Sequence, residues 1–80
     1  MRVVYMLQSI RQPDERYIGC TSALRRRLAE HDAGSSPSTR RHRPWRLMVV
    51  VALRDERRAY AFEAYLKSGS GKAFAQRHFW

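Results

Sequence analysis

The sequence predicts an α/β (α+β) protein: a small three-stranded mixed or antiparallel sheet flanked by helices, in the order β-β-α-β-α-α. Three observations lead there. Two short β-rich runs, Val3 to Leu7 and Arg16 to Cys20, are separated by a polar stretch. A nearly continuous apolar run, Leu47 to Leu53, is far short of a membrane span. Two further segments repeat apolar residues at helical spacing. At 80 residues the chain is read as one domain, 1–80. Its core is modest, because a chain near this size buries only about 60% of its unfolded surface.

Taken in order, Gln8 to Glu15 joins the first two strands, and Pro13-Asp14 is the turn signal of a long-looped hairpin. Thr21 or Ser22 caps a helix over Ala23 to about Ala33, which Gly34 stops. Gly34 to Pro44 is a loop of small and then basic residues. Trp45 to Leu53 is the strongest strand, and its continuous apolar character predicts a central position covered on both faces. Asp55 caps a second helix running to about Ser68. Ser68-Gly69-Ser70-Gly71 breaks it, and Lys72 to His78 forms a short last helix.

The formal charge is +9, and arginine carries nearly all of it, since Lys67 and Lys72 are the only lysines. Such a balance attracts polyanions, nucleic acid first and an anionic membrane surface second. A GC-rich coding genome raises arginine content too, without any function. Cys20 is alone, so neither an intramolecular disulfide nor a thiolate zinc cluster can form. The N-terminal residues turn polar too early for a secretory signal, and a cytoplasmic protein is expected. A peripheral membrane protein would need a helix with a clean apolar face, and charge interrupts the apolar face of both main helices.

Those interruptions are the informative residues. On the first helix Leu24, Arg27, Leu28 and His31 share one face, while Arg25 and Arg26 fall on the solvated side. Arg27 either snorkels to water along its own stem or serves a site, and His31 is either a satisfied boundary residue or a functional one. On the second helix Ala59, Phe62, Glu63 and Leu66 form the stripe. A carboxylate placed there must pair with an arginine or hold a cation, because burying it alone costs several kcal/mol. A single carboxylate completed by water and phosphate oxygens is a usual arrangement for Mg²⁺. If Tyr5 lies opposite Tyr17, both leave the same sheet face together with Gly19, whose missing side chain would leave space for a ligand. As isolated residues the two tyrosines also read as core. Arg40, Arg41 and Arg43 form a loop patch suited to phosphate, although a charged loop is often merely solvated. Trp45 opens the long strand or stacks on a base.

Together these positions resemble the GIY-YIG nuclease family, and most closely its small stand-alone bacterial branch, related to the N-terminal nuclease domain of the nucleotide-excision-repair endonuclease. The first motif stands as Val4-Tyr5-Met6, departing from Gly-Ile-Tyr in its flanks, and the second, Tyr17-Ile18-Gly19, is intact. The run from Cys20 to His31 is close to the family's helix, Thr39 to Leu47 looks like the branch's basic loop and third strand, and Lys67 to Phe74 is similar to its tail. Glu63 falls where the family places its metal-binding glutamate. Some members carry tyrosine at the position of His31, and the late asparagine of the excision-repair branch has no clear match.

The resemblance implies metal-assisted hydrolysis of a DNA phosphodiester, with RNA open as a substrate. Glu63 would hold one Mg²⁺ or Mn²⁺, Arg27 would offset transition-state charge, and Tyr17 would act as general base or proton relay. Tyr5 would orient the water or the phosphate, and His31 would be the proton partner. Arg40, Arg41, Arg43, Lys67 and Lys72 would grip phosphates without reading bases. The chain contains no targeting module, so a targeting protein is an expected partner, and the oligomeric state is open. The competing reading is a non-catalytic DNA- or RNA-binding module on the same fold. The set Tyr17, Arg27 and Glu63 argues against it, since a pure binder has no use for an inward carboxylate, which repels a polyanion.

Overall fold

The structure, a computed structural model, describes residues 1–80. Its elements are β1 (Arg2–Ser9), β2 (Arg16–Thr21), α1 (Leu24–Ala33), a 3-10 turn (Arg40–His42), β3 (Trp45–Leu53), α2 (Glu56–Lys67) and α3 (Gly69–His78). The three strands form one antiparallel sheet in the order β2-β1-β3, so the α+β class and element order are as expected.

The central strand is β1 and not β3. Val4, Tyr5, Met6 and Leu7 are each 1% exposed, because β1 has a neighbour on both edges and cover on both faces. The apolar run of β3 occupies an edge instead, and Leu47, Met48 and Val50 remain substantially exposed. Apolar composition alone does not separate a central strand from an edge strand with one covered face. β3 pairs Val49 with Met6 and Leu47 with Leu7, so Met48 is the extra residue of a bulge.

Period-two alternation divides the sheet into two environments. Val4 and Met6 point with Ile18, Cys20 and Val49 toward α2 and α3, where Ala59, Leu66 and Ala75 complete the core. Val3, Tyr5 and Leu7 occupy the opposite face with Tyr17 and Gly19. The core therefore lies on one side of the sheet and the tyrosines on the other.

Asp55 caps α2 as expected, its carboxylate accepting from the Arg57 and Arg58 backbone N–H groups. Gly34 ends α1 in the left-handed conformation, with φ of 78°. At the start of α1 the cap position is Ala23, and Thr21 helps from two residues earlier by accepting from the Ala23 N–H at 3.0 Å. The expected break at residues 68–71 is confined to Ser68. The Ser68 hydroxyl accepts from Gly71 N–H, and α3 begins at Gly69 instead of Lys72. Gly71 is there for close approach, because a Cβ on it would collide with the Tyr65 backbone. No helix is long and apolar enough to cross a membrane.

Candidate active site

The register of the hairpin builds the site. Tyr5 lies opposite Gly19, and Leu7 lies opposite Tyr17, so the two tyrosines share a face on a diagonal and are not directly paired. Gly19 makes room for Tyr5 itself and not for a ligand: a Cβ there would stand 2.5 Å from the Tyr5 ring and hydroxyl. The phenol thus crosses β2 at a place only glycine permits. It meets α1, which turns His31 onto this face one helical turn after Arg27.

The Tyr5 hydroxyl and His31 Nε2 are 2.8 Å apart, and His31 Nδ1 is 2.6 Å from Thr39 Oγ1. All three side chains are buried, with Thr39 fully excluded from solvent. Tyr17 completes the cluster, its ring edge-on to His31 at 5.0 Å and 6.1 Å from the Tyr5 ring. Tyr17 is half-buried, and its side chain is near enough to the Tyr5 hydroxyl to act on it. Arg27 borders the group, with its Nη1 donating to Glu30 at 2.6 Å. Its guanidinium is neither fully buried nor lost to solvent, at 28% side-chain exposure.

Electrostatics assign protonation states. Burial pushes the Tyr5 phenol up to about 12, reinforced by Tyr17 and opposed by Arg27. Burial, and then the Arg27 charge, lower the His31 imidazole below its ordinary value of 6.5. The Glu30 hydrogen bond holds the Arg27 proton more firmly still. Near pH 7 the core of the site is therefore a neutral phenol, a neutral imidazole and a fixed cation. A neutral imidazole has one donating and one accepting nitrogen, so Thr39, His31 and Tyr5 form a chain with a single sense.

This arrangement makes stability depend on pH. As pH falls below about 6.5, the unfolded chain protonates His31 while the folded chain resists it. The stabilisation is complete above the unfolded value and is lost as pH drops through the lower folded value. Urea midpoints should fall between pH 7 and pH 5, and more steeply for wild type than for His31→Gln.

Thr39 is the member that sequence reasoning missed. It stands beside a basic run like any loop threonine, and nothing local marks it. The loop holds it by donation from its N–H to Ser36 O at 3.2 Å and from Trp45 Nε1 to its own carbonyl at 2.8 Å. Trp45 thus opens β3 and pins this loop. Thr39→Val keeps the shape and strands His31 Nδ1, which should cost about 1–3 kcal/mol in denaturant unfolding, with Thr39→Ser close to wild type.

Glu63 is not bonded to this cluster. It is partly buried on α2, its side chain 22% exposed, and Lys67 Nζ donates to its Oε2 at 3.2 Å. The ion-pair reading of Glu63 is thus realised, with a lysine as the partner. Its charge is also felt at Cys20, whose thiol is raised first by burial and then by Glu63. No group of three or more His, Cys, Asp or Glu side chains could surround a metal. The donor set therefore fits only an open, hydrated ion held by one carboxylate and completed by water and phosphate oxygens, as Mg²⁺ accepts.

Of the other predicted residues, Arg40, Arg41 and Arg43 are exposed in and beside the 3-10 turn. Arg43 lies over the Gly34 backbone, where a Cβ would strike its guanidinium. A cation there also suits the C-terminal end of α1. Lys67 and Lys72 sit elsewhere, at the junction of α2 and α3. The basic residues thus form two separate patches.

The fold thus carries a tyrosine pair on a small antiparallel sheet, an arginine on the following helix and a glutamate on the next long one. The sequence model of the GIY-YIG catalytic domain matches residues 1–77, and the chain belongs to that family. Among curated proteins it is similar to "Structure-specific endonuclease subunit SLX1" from Scheffersomyces stipitis, 44% identical over 54 residues. That match covers 60% of this chain and 16% of the relative. No solved structure matches the chain significantly.

Proposed function

We propose that this domain is a metal-dependent endonuclease that nicks one DNA strand, acting on branched or distorted duplexes in repair or recombination. The observation that carries the reading is the hydrogen-bonded Tyr5–His31 pair against Tyr17, flanked by Arg27, within a GIY-YIG catalytic domain. The relative's description as a structure-specific endonuclease subunit supports structure selectivity and a targeting partner.

Glu63 would hold the Mg²⁺ or Mn²⁺, which when bound supplies Lewis-acid stabilisation of the leaving oxygen. The chain's own residues do the remainder. Tyr17 is the less buried of the two phenols, and it takes the proton of the attacking water as its own hydroxyl proton passes to Tyr5 and the Tyr5 proton to His31. Tyr5 is buried and already bound to His31, so it positions the cluster and does not touch the substrate. His31, neutral and accepting, is the sink to which that proton passes through Tyr5. Arg27 faces the pentavalent phosphorane with a cation whose geometry Glu30 holds, where preorganised donors count most. Arg40, Arg41 and Arg43 hold flanking phosphates of the duplex.

The Lys67–Glu63 pair favours one other reading, a DNA- or RNA-binding module in which that carboxylate is structural. Nicking of supercoiled plasmid and of a branched duplex at low salt, with Mn²⁺, Mg²⁺ or EDTA, separates the two. The nuclease nicks with either metal and is silent in EDTA. Binding without nicking in any metal would establish the module. Arg27→Ala should lower the nicking rate about 10²–10³-fold, the scale of losing one preorganised donor to developing charge.

A further inference from the structure

The largest concavity of the molecule is a groove of about 550 Å³ along the outer edge of β2, where that strand meets α2 and α3. Its apolar surface comes from Ile18, Leu66, Ala75 and Trp80, and its cations are Arg16, Lys67 and Lys72. No acidic side chain lines it. The Arg16 guanidinium lies over the Trp80 ring, its Cζ 4.6 Å from the centroid, and its Nη1 donates to Gln76 Oε1 at 3.1 Å. Arg16 and Trp80 thus form a cation–π pair at a wall of the groove. Lys67 is shared with Glu63, whereas the Lys72 side chain makes no ion pair or hydrogen bond and is exposed.

Tyr17 lines the same groove. The register of β2 sends its ring to the other face of the sheet with His31, so the groove meets the proposed reaction site around the edge of β2. An apolar floor, an aromatic and guanidinium wall, and the unneutralised Lys72 ammonium at the rim are the elements that bind unpaired nucleotides. Bases stack on the aromatic surface and the backbone phosphates meet the cations. Its volume lies within the range of about 300–1,000 Å³ typical of small-molecule sites, which suits a nucleotide and excludes a duplex.

We infer that this groove receives an unpaired nucleotide of the substrate strand, its base against the Arg16–Trp80 wall and its phosphate near Lys72. The inference rests on the nuclease reading only for its placement beside Tyr17. It narrows the substrate to strands that have left a duplex next to the cut: a single-stranded tail, a gap or a splayed junction. A blunt, fully paired duplex would reach the exposed arginines but leave the groove empty.

The test is equilibrium binding in EDTA, so that no cleavage is needed. The protein carries Trp45→Phe so that Trp80 is the single tryptophan, and the probes are a labelled single-stranded oligonucleotide and a blunt duplex of the same sequence. The single strand should quench Trp80 at saturation and the duplex should not. Lys72→Glu, at an exposed position, should weaken the single strand at least about tenfold, as reversing a charge near a phosphate does, and the duplex clearly less. Equal quenching by both probes, silent Trp80 with bound single strand, or equal weakening of both by Lys72→Glu overturns the inference. Quenching by an acidic peptide but not by the oligonucleotide also overturns it and makes the groove a protein-docking site. Nicking with a silent Trp80 would sink the groove and leave the nuclease standing. Selective quenching, with no nicking in any metal by the protein that keeps Trp45, would do the reverse.

Discussion

Glu63→Gln should fold and bind DNA normally yet cut it at least about 10³-fold more slowly, the largest functional effect expected of any single substitution here. Glutamine is nearly isosteric and removes the charge that a divalent ion requires. The substitution also releases Lys67 from its 3.2 Å contact, but that pair is largely exposed at Lys67 and worth no more than about 1 kcal/mol. A small stability change with a large rate loss is therefore the expected pattern. Two readouts check it: nicking rate with Mn²⁺ at saturating DNA, and the change in unfolding free energy. If Glu63→Gln cuts at the wild-type rate, the carboxylate is structural and the metal must be sought elsewhere.

Leu66→Ala should be the most damaging core substitution, lowering stability by roughly 3 kcal/mol. Leu66 is 0% exposed and joins α2 to the sheet beside Met6, Ala59 and Ala75. An 80-residue domain has few such residues, so each supports a large share of a total stability on the order of 5–15 kcal/mol. A loss of this size corresponds to about 12–24 °C in Tm for a domain of this length. Thermal unfolding followed by circular dichroism measures it. A shift below a few degrees would mean that α2 and α3 relax into the vacated volume.

Much of this molecule is legible in the sequence because it depends on neighbours along the chain. Helical spacing places Arg27 and His31 on one face, and the structure puts both beside the tyrosines, with His31 buried and bonded at both nitrogens. The caps at Asp55 and Gly34 follow from side-chain and backbone chemistry within a few residues. Period-two alternation puts Tyr5, Tyr17 and Gly19 on one face even though Tyr5 pairs with Gly19 and not with Tyr17, since registers that differ by two residues expose the same face.

What stays illegible depends on partners distant in the chain. The apolar run of β3 predicts burial but not which strand lies on either side, and the sheet sets it at an edge. Ser68 to Gly71 carries the composition of a linker, yet Gly71 serves the packing of α3 on α2. Thr39 bonds to His31 because the loop before β3 folds back over the end of α1, a contact with no local signature. By itself the sequence determined the elements, their order, the charge and which polar side chains interrupt the apolar helix faces, because propensity, capping and periodicity act over a few residues. Only the tertiary structure decided the strand order, the Tyr5–Gly19 fit, the Thr39–His31–Tyr5 chain and the groove beside Tyr17. Each of these is a contact between segments far apart in sequence, selected by close packing of the whole domain.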